Sequence, residues 1–113
     1  MPKAYASGVV AADADTVWAA IRDFNALPDW HPAIATSHIE DGRAPDSVGC
    51  IRNFDLVDNG PTIREKLLHL DDVDRSYSYD FQSHPFPVRS YHATLRVTPV
   101  SYTHLTLPTI LLV

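Results

Sequence analysis

The stretch IRNFDLVDNGPTIREKLLHLDDVDRSYSYDF, residues 51–81, decides the fold. Apolar and polar side chains alternate along it, and turn-forming clusters interrupt it at residues 58–61 and 71–75. Alternation with a period of two is typical of β-strands, and the clusters are typical of hairpin turns. The stretch therefore predicts three consecutive antiparallel strands with one apolar and one polar face.

The turns also predict which residues lie opposite one another. A two-residue turn at residues 59–60 places Arg52 opposite Leu67, and hence Glu65 diagonal to Arg52 on the same face. The next hairpin places Leu67 opposite Tyr79. The same alternation continues in a later strand. The predicted inner face consists of Arg52, Phe54, Leu56, Ile63, Glu65, Leu67, His69, Tyr77, Tyr79, Phe81, Arg89, Tyr91, Ala93, Leu95 and Val97.

The residues before the sheet predict a strand and a two-helix elbow. Residues 4–10 alternate as a first strand does, and Asp13 is a residue type that caps helix N-termini. Pro32 limits the second helix to about one turn, residues 26–30. From Ile34 onward, turn signals at strand-like intervals predict four or five antiparallel strands. The fold class is therefore α+β. The first helix has helically spaced apolar residues at Val17, Ala20, Ile21 and Phe24.

Composition excludes several classes of protein. A chain of 113 residues that is 45% apolar is expected to form one domain. Nine basic against fourteen acidic residues give a net charge of −5, so we expect no nucleic-acid partner. The single cysteine, Cys50, excludes an internal disulfide. No signal-like N-terminus and no apolar run of membrane-spanning length occurs in the sequence, so we expect a cytoplasmic protein without stable membrane insertion.

Motifs for covalent, metal or nucleotide chemistry do not occur in the sequence. No G-x-S-x-G segment is present, and a chain with four glycines has no Gly-rich phosphate loop. The histidines are not spaced as metal ligands on one element. We therefore expect no metal and no cofactor.

Seven short segments, in this order, resemble the SRPBCC superfamily, and within it the polyketide cyclase/dehydrase and lipid-transport branch. The resemblance implies a helix-grip fold, in which a curved antiparallel sheet wraps a long C-terminal helix around an apolar cavity for a small hydrophobic ligand. Family members include both enzymes and carriers, so the resemblance does not decide between them. The segments are Val17-Trp18, Asp23-Phe24, Trp30-His31-Pro32, and residues 49–52, 63–67, 76–79 and 87–91.

The C-terminal residues depart from this family. After Pro99 the family continues with another strand and the long helix, whereas residues 100–113 are rich in β-branched residues and contain Pro108. Because they look like the translation of a sequencing adapter, we expect one incomplete domain over residues 1–99 and a non-native or extended tail over residues 100–113. The alternative is a natural terminal strand at residues 102–107 on the sheet edge.

The elbow helices are too short to cover the whole predicted inner face. Without the long helix, we expect part of this face to lose its cover. The side chains concerned are Phe54, Leu67, Tyr79, Phe81 and Leu95.

Three groups carry candidate chemistry, each with a purely structural alternative. Arg52 and Glu65 form either a buried ion pair or a place for a ligand's polar head. Tyr79 and Tyr91 either orient a carbonyl and donate protons or fill the core. His31 is either an acid or base or a cap for backbone carbonyls.

We therefore expect a protein that binds a small hydrophobic, lipid- or polyketide-like molecule between the inner face and the elbow. One alternative is a polyketide cyclase or dehydratase that transfers protons in the same cavity, and another is a protein-interaction module. The catalytic candidates are His31, Tyr79 and Tyr91. The predicted ligand-binding residues are Trp30, Arg52, Phe54, Glu65, Leu67, Tyr79, Phe81 and Tyr91.

Overall fold

One antiparallel sheet and a two-helix elbow make up the fold. The computed structural model describes the backbone of residues 6–10, 12–83, 92–99 and 103–107, and the side chains of residues 12–83 and 92–99. The elements, in chain order, are β1 (Ala6–Val10), α1 (Ala14–Ile21), α2 (Leu27–Trp30), β2 (Ile34–Ile39), a 3-10 turn (Glu40–Gly42), β3 (Ile51–Leu56), β4 (Thr62–Asp71), β5 (Ser76–Ser83), β6 (His92–Pro99) and β7 (Thr103–Leu107).

The strands of the described chain follow one another in the order β1-β7-β6-β5-β4-β3-β2, and every neighbouring pair is antiparallel. The predicted α+β class is confirmed, and five of the strands lie between Ile34 and Pro99 as the turn signals indicated. Neither helix in the described ranges has the length or the apolarity needed to cross a bilayer.

The elbow forms where the sequence predicts it. The Asp13 carboxylate accepts a hydrogen bond of 2.8 Å from the Thr16 amide and caps α1. Pro28 stands at the start of α2, which lasts one turn. Ala20 is exposed, contrary to the prediction, because α1 turns a neighbouring stripe of residues to the sheet. The elbow residues that are buried are Ala14, Val17, Trp18, Ile21, Phe24 and Leu27.

The register of β3 against β4 differs from the predicted one by two residues. Arg52 lies directly opposite Glu65, not opposite Leu67. The turn is longer than the two residues predicted, because the Leu56 amide donates to the Pro61 carbonyl (3.1 Å) and four residues lie between them. A shift of two residues leaves every side chain on its predicted face.

The next hairpin confirms one pairing and corrects another. Leu67 lies opposite Tyr79 as predicted. Between Leu67 and His69 the register shifts, as in a β-bulge, so His69 points outward and is exposed. Leu70 packs against the core instead. The prediction of an inward His69 is wrong because simple alternation cannot reveal an inserted residue.

The C-terminal strand lies inside the sheet. β7 pairs with β6 on one side and with β1 on the other, so the backbone of Thr103–Leu107 forms a strand with two neighbours rather than one at the edge. In the described ranges the helices are eight and four residues long, and a long C-terminal helix is not among them. The division of the chain at residue 99 into an incomplete domain and a non-native tail stays a prediction.

The inner face is better covered than the sequence indicated. Of the five side chains expected to lose their cover, only Phe81 is partly exposed, and the other four are buried. The rings of Trp18 and Phe24, from the elbow, contact the ring of Tyr77 on β5 at 6.2 and 5.6 Å between centroids. The four buried side chains are Phe54, Leu67, Tyr79 and Leu95.

Polar contacts fix α1 to the β4–β5 hairpin. The Trp18 indole N–H donates to Asp72 (2.8 Å), and the Arg22 guanidinium binds the same carboxylate (2.8 Å). Arg75, at the end of the hairpin turn, forms an ion pair of 2.8 Å with Asp15 near the start of α1. These contacts hold the elbow against the sheet at one end.

A further ion pair ties the 3-10 turn to the outer face of the sheet. The Arg64 guanidinium donates two hydrogen bonds to the Glu40 carboxylate, at 2.6 and 2.7 Å, and the Asn53 amide donates a third at 3.2 Å. The hydrogen bonds from Arg64 lower the pKa of Glu40 to about 2.

Glu40→Gln should reduce the sensitivity of the fold to acid. A depressed carboxyl pKa contributes stability that is complete above the unfolded-state value of about 4.3 and is lost as the pH falls towards 2. The free energy of unfolding of the wild type should therefore fall more steeply across this pH range than that of Glu40→Gln, as measured by urea titrations. Asp58→Asn, which removes a carboxylate from an exposed turn, is the control. Equal slopes for wild type and Glu40→Gln would contradict the assignment.

Candidate functional site

A buried ion pair lies on the inner face of the sheet. Arg52 and Glu65, on the adjacent strands β3 and β4, are each 2% exposed. The guanidinium Nε and Nη2 lie 2.8 and 2.7 Å from Oε1 of Glu65. Nη1 donates to the backbone carbonyl of Phe24, in the connection between α1 and α2, at 3.2 Å. The pair thus joins two strands and the elbow through one side chain.

Aromatic rings surround the guanidinium. Its central carbon lies 4.0 Å from the ring centroid of Phe24 and 4.7 Å from that of Tyr79. The rings of Phe54 and Tyr77 are farther away, at 5.6 and 5.8 Å. Cation–π attraction adds to the ion pair in such surroundings. The positive charge of Arg52 is therefore satisfied within the protein.

Burial and charge act in opposite directions on the pair. Burial raises the pKa of the Glu65 carboxyl, and the Arg52 charge opposes that shift. Burial also works against the charge of Arg52, yet the facing carboxylate and the nearby tyrosines hold the Arg52 pKa above its usual value. Neither charge would be tolerated at this depth without the other.

Two polar atoms on the covered side of the sheet are buried and lack a hydrogen-bond partner within the described part of the chain. They are the hydroxyl of Tyr77 and the indole Nε1 of Trp30. Tyr77 is completely buried, and burial raises the pKa of its hydroxyl while Arg52 opposes the rise. Unpartnered buried polar groups are uncommon in folded proteins and call for a reason.

His31 lies beside Trp30, with 5.7 Å between their ring centroids. Its Nδ1 accepts a hydrogen bond of 3.2 Å from the Ala33 amide, so in the neutral ring the proton is on Nε2. Burial lowers the pKa of His31, and the charge of Arg52 lowers it further. His31 is thus oriented by a backbone amide and does not cap a carbonyl through Nδ1.

The inner face has two hydrophobic clusters. The first contains Phe24, Leu67, Tyr77 and Tyr79, and the second is formed by Leu27, Ile34, Phe54 and Ile63. Trp30 packs against both clusters, and Phe81 packs against the second. The indole of Trp30 therefore stands at the junction between them.

The structure brings most of the predicted site residues together. Arg52, Phe54, Glu65, Leu67 and Tyr79 are buried on one face, while Trp30 and Phe81 lie at its margin, partly exposed. Tyr91 lies outside the described residues.

Two contributors were missed as site residues by sequence reasoning. Tyr77 shares a strand face with Tyr79, two residues away, so the alternation could have identified it. Phe24 supplies a backbone carbonyl and a ring to Arg52. No pattern in the sequence predicts that a backbone carbonyl between α1 and α2 accepts a hydrogen bond from Arg52.

Other features of the described chain do not form a second site for chemistry. Its His, Cys, Asp and Glu side chains form no group of three or more that could hold a metal ion. Cys50 is buried, and burial raises the pKa of its thiol, as for a small apolar filler. An open depression of about 410 Å³ is lined by Ala35, Thr36, Asp55, Leu56, Asn59 and Gly60.

A family model described as polyketide cyclase / dehydrase and lipid transport matches residues 1–107. The protein XoxI from Bacillus cereus is 33% identical over 94% of this chain and 71% of its own, with a TM-score of 0.80. No curated protein matches the sequence significantly.

Two more distant solved structures share the fold. Major latex-like protein 151 from Panax ginseng is 18% identical over 95% of this chain and 76% of its own, with a TM-score of 0.75. The di-domain ARO/CYC BexL, from the BE-7585A biosynthetic pathway, is 20% identical over 96% of this chain and 35% of its own, with a TM-score of 0.76.

Breaking the ion pair should be far more costly than replacing it. Glu65→Ala leaves Arg52 buried without its carboxylate and should destabilise the fold by about 3 to 5 kcal/mol. The double variant Arg52→Met with Glu65→Leu keeps the volume and should be close to neutral. Urea unfolding of each variant measures both effects. A double variant as unstable as Glu65→Ala would show that the charges themselves stabilise the fold.

Proposed function

Because the chain belongs to the polyketide cyclase/dehydrase and lipid-transport family of the SRPBCC superfamily, we propose that it binds a small hydrophobic ligand between the inner face of the sheet and the elbow. The observation that carries the proposal is the division of the inner face into two apolar clusters with Trp30 between them. A ligand that enters at this junction meets apolar and aromatic side chains on both sides.

The ligand-contacting residues follow from this placement. Trp30 and Phe81 are partly exposed and offer apolar surface at the margin of the buried face. Phe54, Leu67 and Tyr79 form the deeper wall. Tyr91 is retained from the sequence as a further contact. The two partly exposed residues, Trp30 and Phe81, would form the entrance for the ligand.

The Arg52–Glu65 pair gives this site a polar floor without net charge. Glu65 already neutralises the guanidinium, which also donates to the Phe24 carbonyl, so a charged head group would gain little free energy from it. This supports a structural role for the pair in the unliganded protein. A polar group of the ligand would be recognised by other donors.

An enzyme of the cyclase or dehydratase type is the second candidate. His31 favours it, since a half-buried imidazole with a lowered pKa is neutral at neutral pH and can exchange a proton. In this alternative Tyr79 or Tyr91 would act with His31. BexL, an ARO/CYC protein by name, has the same fold as this chain. Because one fold hosts many functions, this likeness does not decide between binding and catalysis.

The third alternative, an interaction module, requires an apolar face open to a partner. In the described residues this face is covered by the elbow. Among the described residues, the large hydrophobic side chains that are exposed belong to Val48, Val57 and Val73, which lie in separate loops and turns. Scattered exposed apolar residues are ordinary features of protein surfaces.

Titration of the full chain with an uncharged apolar fluorescent probe, N-phenyl-1-naphthylamine, tests the proposal. We expect saturable binding to one site. Phe81→Ala, which removes a ring from the margin of the inner face, should weaken it by roughly tenfold, about 1.4 kcal/mol. Val73→Ala, at a position 90% exposed, is the matched control and should bind as the wild type does. Non-saturable binding, or equal affinities for the two variants, would overturn the proposal.

Turnover separates the binder from the enzyme. An aromatic polyketone incubated with the protein should be recovered unchanged if the chain only binds. Loss of one water per molecule, detected by mass spectrometry and abolished in His31→Gln, would establish the second candidate instead.

A further inference from the structure

The two buried polar atoms without partners are both hydrogen-bond donors. An indole N–H can only donate, so Nε1 of Trp30 needs an acceptor. The hydroxyl of Tyr77 can donate or accept. The cation beside it, Arg52, carries only donors, so the Tyr77 proton has no acceptor in the guanidinium. The site therefore offers donors and lacks acceptors for them among the described residues.

From this imbalance we propose that the bound molecule carries neutral hydrogen-bond acceptors of the carbonyl class, which take hydrogen bonds from the Trp30 indole N–H and the Tyr77 hydroxyl. The inference rests on the proposed function and adds the chemical class of the ligand to it. Trp30 and Tyr77 then determine specificity, while the surrounding apolar residues supply most of the affinity.

An acidic ligand fits the site less well. The buried cation of the inner face, Arg52, already gives Nε and Nη2 to Glu65 and Nη1 to the Phe24 carbonyl. A ligand carboxylate would add a second negative charge near Glu65 in a region of low dielectric, where like charges repel strongly. Removing that carboxylate from water would add a further cost in free energy.

A hydroxyl-bearing ligand is also a poorer match than a carbonyl. A hydroxyl can accept from Trp30 or Tyr77, but it brings a proton that needs an acceptor in turn. His31 does not supply one through Nδ1, which already accepts from the Ala33 amide. A ketone or ester oxygen satisfies the donors and leaves no new group unpaired.

Three naphthalenes of nearly equal size test the inference: naphthyl methyl ketone, isopropylnaphthalene and naphthoate. Without hydrogen bonds from the protein, the hydrocarbon should bind at least as well as the ketone, since the ketone loses its hydration. With them, we expect the full chain to bind the ketone about three- to tenfold more tightly than the hydrocarbon, and naphthoate most weakly. Isothermal titration calorimetry measures all three.

Conservative variants locate the source of this preference. Tyr77→Phe removes one donor and keeps the ring, whereas Trp30→Phe removes the other donor and also part of the indole surface. In each variant the ratio of ketone to hydrocarbon affinity should fall towards one, whatever change both affinities share. Trp18→Phe is the matched control, because the Trp18 N–H already donates to Asp72, and its ketone preference should be unchanged. Circular dichroism checks the fold of each variant, and Trp30→Phe carries the test if Tyr77→Phe does not fold.

The outcomes separate the inference from the proposed function. Absence of binding by all three naphthalenes would overturn both. Binding of the hydrocarbon as tightly as the ketone, as expected if water occupies the donors, would overturn the inference and leave the proposed function standing. Tightest binding of naphthoate, or a ketone preference that persists in both donor variants, would also overturn the inference.

Discussion

The rest of the structure depends on the buried ion pair between Arg52 and Glu65. It lies across two neighbouring strands, β3 and β4, and its guanidinium reaches a carbonyl of the elbow, so one side chain links the sheet to the layer that covers it. The ring of Phe24 then sits 4.0 Å from the guanidinium carbon and packs against Tyr77. Without Arg52, the Phe24 carbonyl would lose its donor.

A pair of this kind adds little net stability compared with apolar residues of similar volume, because two charges must be removed from water. Its benefit is specificity. A slip of β3 against β4 by two residues would keep every side chain on its face, and hydrophobic patterning alone would tolerate it. Such a slip would move Glu65 from the position directly opposite Arg52 to a diagonal one, where the contact between the two charges is weaker. We infer that the ion pair selects the observed register from those that the alternation allows.

Much of the architecture could be predicted from the sequence because it depends on local patterns. The alternation in residues 51–81 gave the faces of the three central strands, and Asp13 marked the start of α1. Two features could not be predicted from the sequence, each for a physical reason. The length of the turn before Pro61 depends on left-handed backbone angles at Asp58 and Asn59, which several turn types share.

The second feature is the bulge at His69, which inserts one residue without any compositional mark. The candidate site, like the fold, was predictable only where it depends on local patterns. Side chains such as Glu65 and Tyr79 follow from the alternation, whereas the Phe24 carbonyl depends on how the elbow sits on the sheet. Such tertiary contacts cannot be read from spacing along the chain.

The same contacts explain why the site is neutral and rich in donors. Arg52 brings a positive charge to the inner face, which Glu65 neutralises, and the three guanidinium nitrogens contact Glu65 and the Phe24 carbonyl. Among the described residues, the buried polar atoms that remain unpartnered belong to Trp30 and Tyr77, which carry no charge at neutral pH. The interaction that fixes the fold therefore also sets the electrostatics of the inner face, since Glu65 neutralises its cation, and in the binding that we propose shape and neutral hydrogen bonds discriminate among ligands.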